Sequence, residues 1–188
     1  MRISAILLAA GLSSRMEGKD KLMLEYKGKS LLQHALGLLD SLPCETKIIV
    51  TTQARLGAVS LPQGVQAVVN PFPEGGQSGS LKLGLCAADA DAYLFLNADQ
   101  PKLSAEGLAW LFELARENPD KIIYPSVREQ PSTPVLFPAR FRGELLALGG
   151  DTGGRAVRNT NADACLTVEV EEPGDFVDVD TLEDYGGL

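Results

Sequence analysis

Short apolar runs, separated by glycine, proline and polar turns, set the rhythm of this chain. Ile3 to Leu8 is a nearly unbroken apolar run, the pattern of a strand buried on both faces. Comparable runs fall at Lys47 to Thr52, Val65 to Val69, Tyr93 to Leu96 and Lys121 to Tyr124. Leu22 to Tyr26 reads as a brief strand turning at Lys27-Gly28-Lys29. Ser30 then caps a helix with Leu31, Leu32, Ala35, Leu36, Leu38 and Leu39 on one face. Ser78 or Ser80 is expected to cap a helix through Leu81, Leu83, Leu85 and Ala88. Ser104 to Glu117 predicts another helix, with Leu108, Leu111, Phe112 and Ala115 inward and Trp110 off that stripe as a packing residue.

Beyond that point the pattern loosens. Val127 to Thr133 is polar and broken by proline, and Pro134 to Phe137 returns to an extended core segment. Arg140 to Leu148 fits a short helix, and Ala164 to Val170 a late strand. Val177 to Thr181 ends a further strand, with Thr181 capping a terminal helical turn. Strands alternating with helices argue for a mostly parallel sheet covered by helices on both faces, in a single domain spanning residues 1–188.

A chain of 188 residues buries enough surface to fold without staples. Net charge is −8, from 25 acidic and 17 basic residues. Most of the surface therefore repels a polyanion, so no nucleic-acid partner is expected, whereas a small nucleotide held by a few focused cations remains compatible. The three cysteines lack CxxC or Cys/His spacing, which indicates neither a disulfide framework nor structural zinc and suits a reducing cytoplasm. The first residues read as a core strand, so no charged-then-apolar leader is expected, and no apolar run reaches the ~18 residues a membrane span needs.

Candidate chemistry concentrates where strands end. Ala9-Ala10-Gly11 lets a ligand approach the backbone. Ser13 and Ser14 add hydroxyls, and Arg15 and Lys21 add positive charge, together resembling a triphosphate cradle. Gly28-Lys29-Ser30 is no P-loop, because Met23 stands where that motif needs its first glycine. His34, the single histidine, reads as a packed or surface residue on a leucine-rich helix. The Gly/Ser loop ending at Ser80 opens a helix, a natural polar-ligand site. Asp99 follows a central strand, where open α/β sheets bind ligands, and one or two carboxylates with phosphate oxygens suit Mg²⁺. A glycine-rich loop at 149–155 surrounds Asp151 and Arg155.

Taken together, LLAAGLSSRMEGKDKL at 7–22, Asn70, EGGQSGSLKLG at 74–84, NADQP at 97–101, PVLF at 134–137, GGDTGGR at 149–155 and DVDTLEDY at 178–185 resemble the MobA-like NTP transferase group over essentially the whole chain. The nearest branch is the molybdenum cofactor cytidylyltransferases. The resemblance implies a Rossmann-like three-layer α/β/α fold with an antiparallel excursion near PVLF. It implies transfer of a nucleoside monophosphate from an NTP to a phosphorylated acceptor such as molybdopterin, with release of pyrophosphate. Arg15 and Lys21 would meet the triphosphate. Leu8, Ala9, Ala10, Gly11, Ser13, Ser14, Asn70, Gly79 and Ser80 would hold the nucleotide. Asp99 and Asp180, with Asp178 as the alternative to Asp180, would hold magnesium, and Gln100, Asp151 and Arg155 would face the acceptor. GTP-using members tend to carry Ala-Gly-Gly where this chain has Ala9-Ala10-Gly11, which favours CTP. Glu17, Pro131 to Thr133 and Leu182 depart from the family pattern. A sugar-phosphate nucleotidyltransferase, a GTP-using molybdopterin transferase and a non-catalytic nucleotide-binding chaperone or regulatory subunit stay open, as does contact with a molybdoenzyme or accessory protein. A dinucleotide oxidoreductase fits poorly, since the first loop lacks GxGxxG and no acidic residue follows KIIVTT.

Overall fold

A computed structural model describes residues 1–13, 16, 18–170 and 173–188. Ser14, Arg15 and Glu17, named above, lie outside the described residues.

In chain order the elements are β1 (Ile3–Ala9), β2 (Glu25–Tyr26), β3 (Lys29–Ser30), α1 (Leu31–Ser41), β4 (Thr46–Thr51), α2 (Gln53–Ala58) and β5 (Val65–Val69). They continue with α3 (Gln77–Ala87), β6 (Ala92–Asn97), α4 (Ala109–Glu117), β7 (Ile122–Val127), β8 (Gln130–Pro131) and β9 (Val135–Pro138). The last are α5 (Arg142–Ala147), α6 (Arg155–Thr160), β10 (Cys165–Glu169) and α7 (Leu182–Gly186).

The main sheet runs β10-β7-β9-β6-β1-β4-β5, with β8 paired to β7, and β2 and β3 form a separate hairpin. β6, β1, β4 and β5 are parallel neighbours, as are β10 and β7. β9 runs antiparallel to both β6 and β7, so the reversed strand lies inside the sheet. Alternate residues of the central strands face opposite layers. Ala5, Leu7, Leu94 and Leu96 pack with α1 and α4, whereas Ile6, Tyr93 and Phe95 pack with α3 and α5. The three-layer α/β/α arrangement follows from these two apolar faces. On α3, Gly84 permits close approach to the sheet, since a Cβ there would meet Ile6 Cγ2 at 2.4 Å.

Several local expectations are corrected. Residues Lys21–Met23 form a 3-10 turn rather than the start of a strand, because Asp20 caps them through Leu22 N. Helix α4 starts at Ala109 rather than Ser104: the Ser104 hydroxyl accepts from Gly107 N and holds a turn there. Ser78 and Ser80 lie inside α3 rather than capping it. Its first amide, Gln77 N, donates to Asp151 Oδ1 at 3.3 Å. Val177 to Asp180 is a loop, tied down at Val179 N, which donates to the Asp99 carbonyl at 2.9 Å. Ser30 and Thr181 do cap their helices, each in a capping box. His34 is half-buried, with Nε2 2.7 Å from the Tyr26 carbonyl oxygen.

Candidate active site

The site begins where β1 ends. Ala9 and Ala10 are buried, Gly11 follows, and Ser13 Oγ accepts from Lys21 N at 3.0 Å, closing the loop on itself. This loop is fastened by a pair that sequence reasoning missed. Arg55 on α2 donates from Nε to Asp20 Oδ2 at 2.7 Å and from Nη2 to Asp20 Oδ1 at 2.8 Å. Its Nη1 donates to the Ala9 carbonyl at 2.7 Å. The fork matches the carboxylate bidentately, and the remaining nitrogen holds the tip of β1. Arg55 thereby fixes Asp20, the residue before Lys21. In the sequence Arg55 looks like any polar helix residue, and burial alone distinguishes it.

Lys21 Nζ donates to Asp99 Oδ2 at 2.6 Å and to Asp180 Oδ1 at 3.0 Å. The three groups lie 78 and 159 residues apart in the chain and meet at one point. Burial pushes the Lys21 amine down, but the charge and hydrogen bond of Asp99, joined by Asp180, outweigh it and the pKa is raised. Lys21 is therefore a permanent cation. Asp99 Oδ1 is buried without a hydrogen-bond partner. The Asp178 residue is exposed as a whole, yet its carboxyl is shielded by the walls around it. Loss of hydration, then repulsion from Asp99 and Asp180, pushes that carboxyl up to about 7.

Two clefts open here. The larger, about 710 Å³, is lined by residues Leu8 to Ser13, by Lys21, Ser80, Asp99 and Asp180, and by the glycine loop at Gly76 and Gly150. The smaller, about 310 Å³, is floored by Phe95, Val135 and Phe137 and carries Arg155, Arg158 and Asp178. Leu8, Gln77 and Asn97 line both clefts, so the two meet at the ends of β1 and β6 and the start of α3. At the meeting point the chain crosses itself closely. Gly76 has φ +90°, and a Cβ on it would meet Gly150 C at 2.6 Å.

The expected site residues are thus brought together unevenly. Leu8, Ala9, Ala10, Gly11, Ser13, Lys21, Ser80, Asp99 and Asp180 share the larger cleft, and Arg155 and Asp178 the smaller. Asn70 is buried behind that wall, donating from Nδ2 to Ser80 Oγ at 3.0 Å and accepting from Phe72 N at 2.9 Å. Neither Asn70 nor Gly79 lines the cleft. Asp151 lines the larger cleft, not the smaller, and caps α3. Gln100 is buried outside both clefts, where its amide holds Thr133 and its side chain meets Asp178. Gln77, Asn97 and Arg158 were not anticipated.

The profile of the MobA-like NTP transferase domain matches residues 5–165. The chain belongs to that family. As a MobA-like NTP transferase it is 34% identical over 123 residues to a probable molybdenum cofactor guanylyltransferase of Rhodopirellula baltica, a match covering 63% of this chain and 58% of the relative. It is 29% identical to the purine catabolism protein PucB of Bacillus subtilis over 96% of this chain and 92% of the relative. The crystal structure of Rv0371c from Mycobacterium tuberculosis superposes with a TM-score of 0.83 at 24% identity, covering 100% of this chain and 96% of that one. The same protein in a manganese complex superposes at 0.79 with 22% identity, covering 100% and 98%. The expected Rossmann-like fold and family are therefore confirmed.

The donors of this MobA-like transferase fit a hard divalent cation that keeps part of its coordination for phosphate. Asp99 offers an unused buried oxygen, and Asp180 lies beside it on the same ammonium. Among the described residues no three His, Cys, Asp or Glu side chains form a metal cage. One or two carboxylates completed by phosphate oxygens is how Mg²⁺ is ordinarily held at phosphate-transfer sites. Among the described residues, no helix is long and apolar enough to cross a membrane.

Proposed function

We propose that the protein transfers a nucleoside monophosphate, CMP from CTP, to a phosphorylated acceptor, molybdopterin, releasing pyrophosphate. The observation that carries this reading is the meeting of the two clefts at Leu8, Gln77 and Asn97 beside the Lys21–Asp99–Asp180 cluster. Two substrates held on either side of such a doorway present their reacting ends to each other, which removes most of the entropic barrier to a two-substrate reaction.

The chemical problem is that an anionic phosphate must attack an anionic phosphate. Lys21, with Arg15 beside it in the sequence, supplies positive charge where the triphosphate loses pyrophosphate. Asp99 and Asp180 would hold Mg²⁺, with Asp178 adjoining. Such an ion, when bound, neutralises phosphate charge and orients the triphosphate. Ser13 and Ser80 line the larger cleft, with their hydroxyls held by Lys21 N and Asn70 Nδ2, while Arg155 receives the acceptor in the smaller one. Gln100 and Asp151 support this arrangement by shaping walls, through Thr133 and the start of α3.

The base reading rests on Ala10, a buried residue that lines the larger cleft where GTP-using members tend to carry glycine. A GTP reading has its own support in relatives named guanylyltransferases. Pyrophosphate release with CTP, GTP, ATP and UTP, with and without molybdopterin, tests both. Acceptor-dependent release with CTP is the expected result, and release confined to GTP selects the second reading. Nucleotide binding without release from any pairing, a sugar phosphate included, overturns the transferase assignment.

A further inference from the structure

The smaller cleft holds a cation to which the chemistry above gives no task. Arg158, on α6, is 6% exposed, and its guanidinium carbon sits 4.6 Å from the centre of the Tyr124 ring. Its Nε and Nη2 donate to one oxygen, Asn159 Oδ1, at 3.3 and 3.2 Å. Among the described residues no carboxylate pairs with it. Burial pushes its pKa down, and Arg155 adds to that effect. In a chain of net charge −8, carboxylates abound in the sequence, and among the described residues none is used to neutralise it. A buried guanidinium without a counter-charge is costly to the fold, unless an anion arriving from outside completes it.

The sheet fixes how far this cation lies from the doorway. β7 and β9 pair antiparallel with Ile123 opposite Leu136, which sets Tyr124 beside Val135, and Val135 pairs with Phe95. Phe95, Val135 and Tyr124 therefore form a row across three strands. At the usual strand spacing, Tyr124 lies about 10 Å from Phe95 along it. Asn97 stands two residues beyond Phe95 at the doorway. The cleft thus has a polar mouth, an apolar floor and a cationic far end.

We infer that Arg158 is an anion receptor at the far end of the smaller cleft, and that the acceptor carries a second acidic group, carboxylate or phosphate, on an apolar body. This deepens the transferase reading and rests on it only in naming the occupant the acceptor; the anion site is tested by binding alone. A planar fork over an aromatic ring suits both carboxylate and phosphate.

The experiment is calorimetric titration of the whole chain with phenyl phosphate, benzoate and benzyl alcohol. The two acids distinguish phosphate from carboxylate, and the alcohol supplies the same ring without charge. The wild type should bind at least one acid at millimolar concentration and in clear preference to the alcohol. Arg158→Gln should weaken that binding about tenfold or more, the usual size of a lost charge-assisted hydrogen bond. Arg158→Lys, which keeps the charge and loses the fork, should restore part of it. Arg116→Gln, exposed on α4 and outside both clefts, should leave it unchanged. Equal affinity in wild type and Arg158→Gln overturns the proposal, as does equal binding of acid and alcohol, or an equal loss of binding in Arg116→Gln. Should Arg158→Gln fail to fold, Arg158→Lys decides: affinity equal to wild type overturns the fork. Absence of pyrophosphate release in the wild type would remove the transferase reading and leave this binding result standing.

Discussion

The larger and smaller clefts share one sheet and even share Leu8, Gln77 and Asn97, yet they are built from opposite kinds of strand geometry. The larger cleft lies at the carboxyl ends of the parallel strands β1 and β6, together with the loop after β5, where chain after chain leaves the sheet at the same edge. Its walls are loop backbone, small residues and ion pairs. The smaller cleft lies over the reversed strand β9 and its neighbours, so its floor is made of side-chain faces, Phe95, Val135 and Phe137. Parallel strand ends gather charge from distant sequence, whereas strand faces offer shape. The division suits a reaction in which one substrate is mainly phosphate and the other mainly body.

Breaking the charge cluster should separate the clefts most sharply. Lys21→Ala and Asp99→Ala are each expected to slow pyrophosphate release about 100-fold or more, the size typical of removing a group that stabilises transition-state charge. Acceptor KM should change little in either variant, since both residues line only the larger cleft. Steady-state kinetics with both substrates varied checks this. Rates near wild type, or a rise in acceptor KM equal to the fall in kcat, would mean that the clefts are not functionally distinct.

The same contrast explains what could be read from sequence. Val65 to Val69 is a strand with the bounds its apolar run suggests, and β1 differs from its run by one residue. Lys21 and Asp99 could be grouped because parallel strand ends converge, whereas Asp180 came in only through the family resemblance, since its segment is a loop and no strand end. The antiparallel half was less legible. Nothing in the periodicity of PVLF says that it inserts between β6 and β7, because pairing partners are a long-range property. The alternation of Val177 to Asp180 mimics a strand, but the segment is a loop whose Val179 N bonds the distant Asp99 carbonyl. Asp151 caps a helix whose first residue lies 74 positions away, which displaced the expected serine caps. Arg55 and Arg158 are buried without any local signal, since an arginine's burial depends on partners the local sequence does not contain.

Arg55 sharpens the comparison from beneath the larger cleft. Arg55→Met removes the fork that binds Asp20 and the tip of β1, and strands the Asp20 carboxylate. The expected cost is about 2 kcal/mol in denaturant-induced unfolding, below the figure for a fully buried pair because Asp20 keeps some access to water. Since Arg55 fixes Asp20, the residue before Lys21, the kcat of the folded fraction should fall while acceptor KM holds. A stability loss with unchanged kcat would make Arg55 a purely structural brace.

The smallest effect concerns the base. Ala10 is 1% exposed and lines the larger cleft at the point where the backbone leaves β1. Ala10→Gly removes one methyl group and enlarges the cleft without adding charge. Discrimination by a single methyl in a pocket is worth about tenfold, so the ratio of kcat/KM for CTP over GTP should fall by about that factor. A purine gains from the added room, and a pyrimidine loses contact with the methyl. Competition between the two nucleotides in one reaction measures the ratio directly and cancels any general loss from the added backbone freedom of glycine. An unchanged ratio would move base recognition to another part of the larger cleft and remove the physical ground for preferring CTP, while leaving the division of labour between the clefts intact.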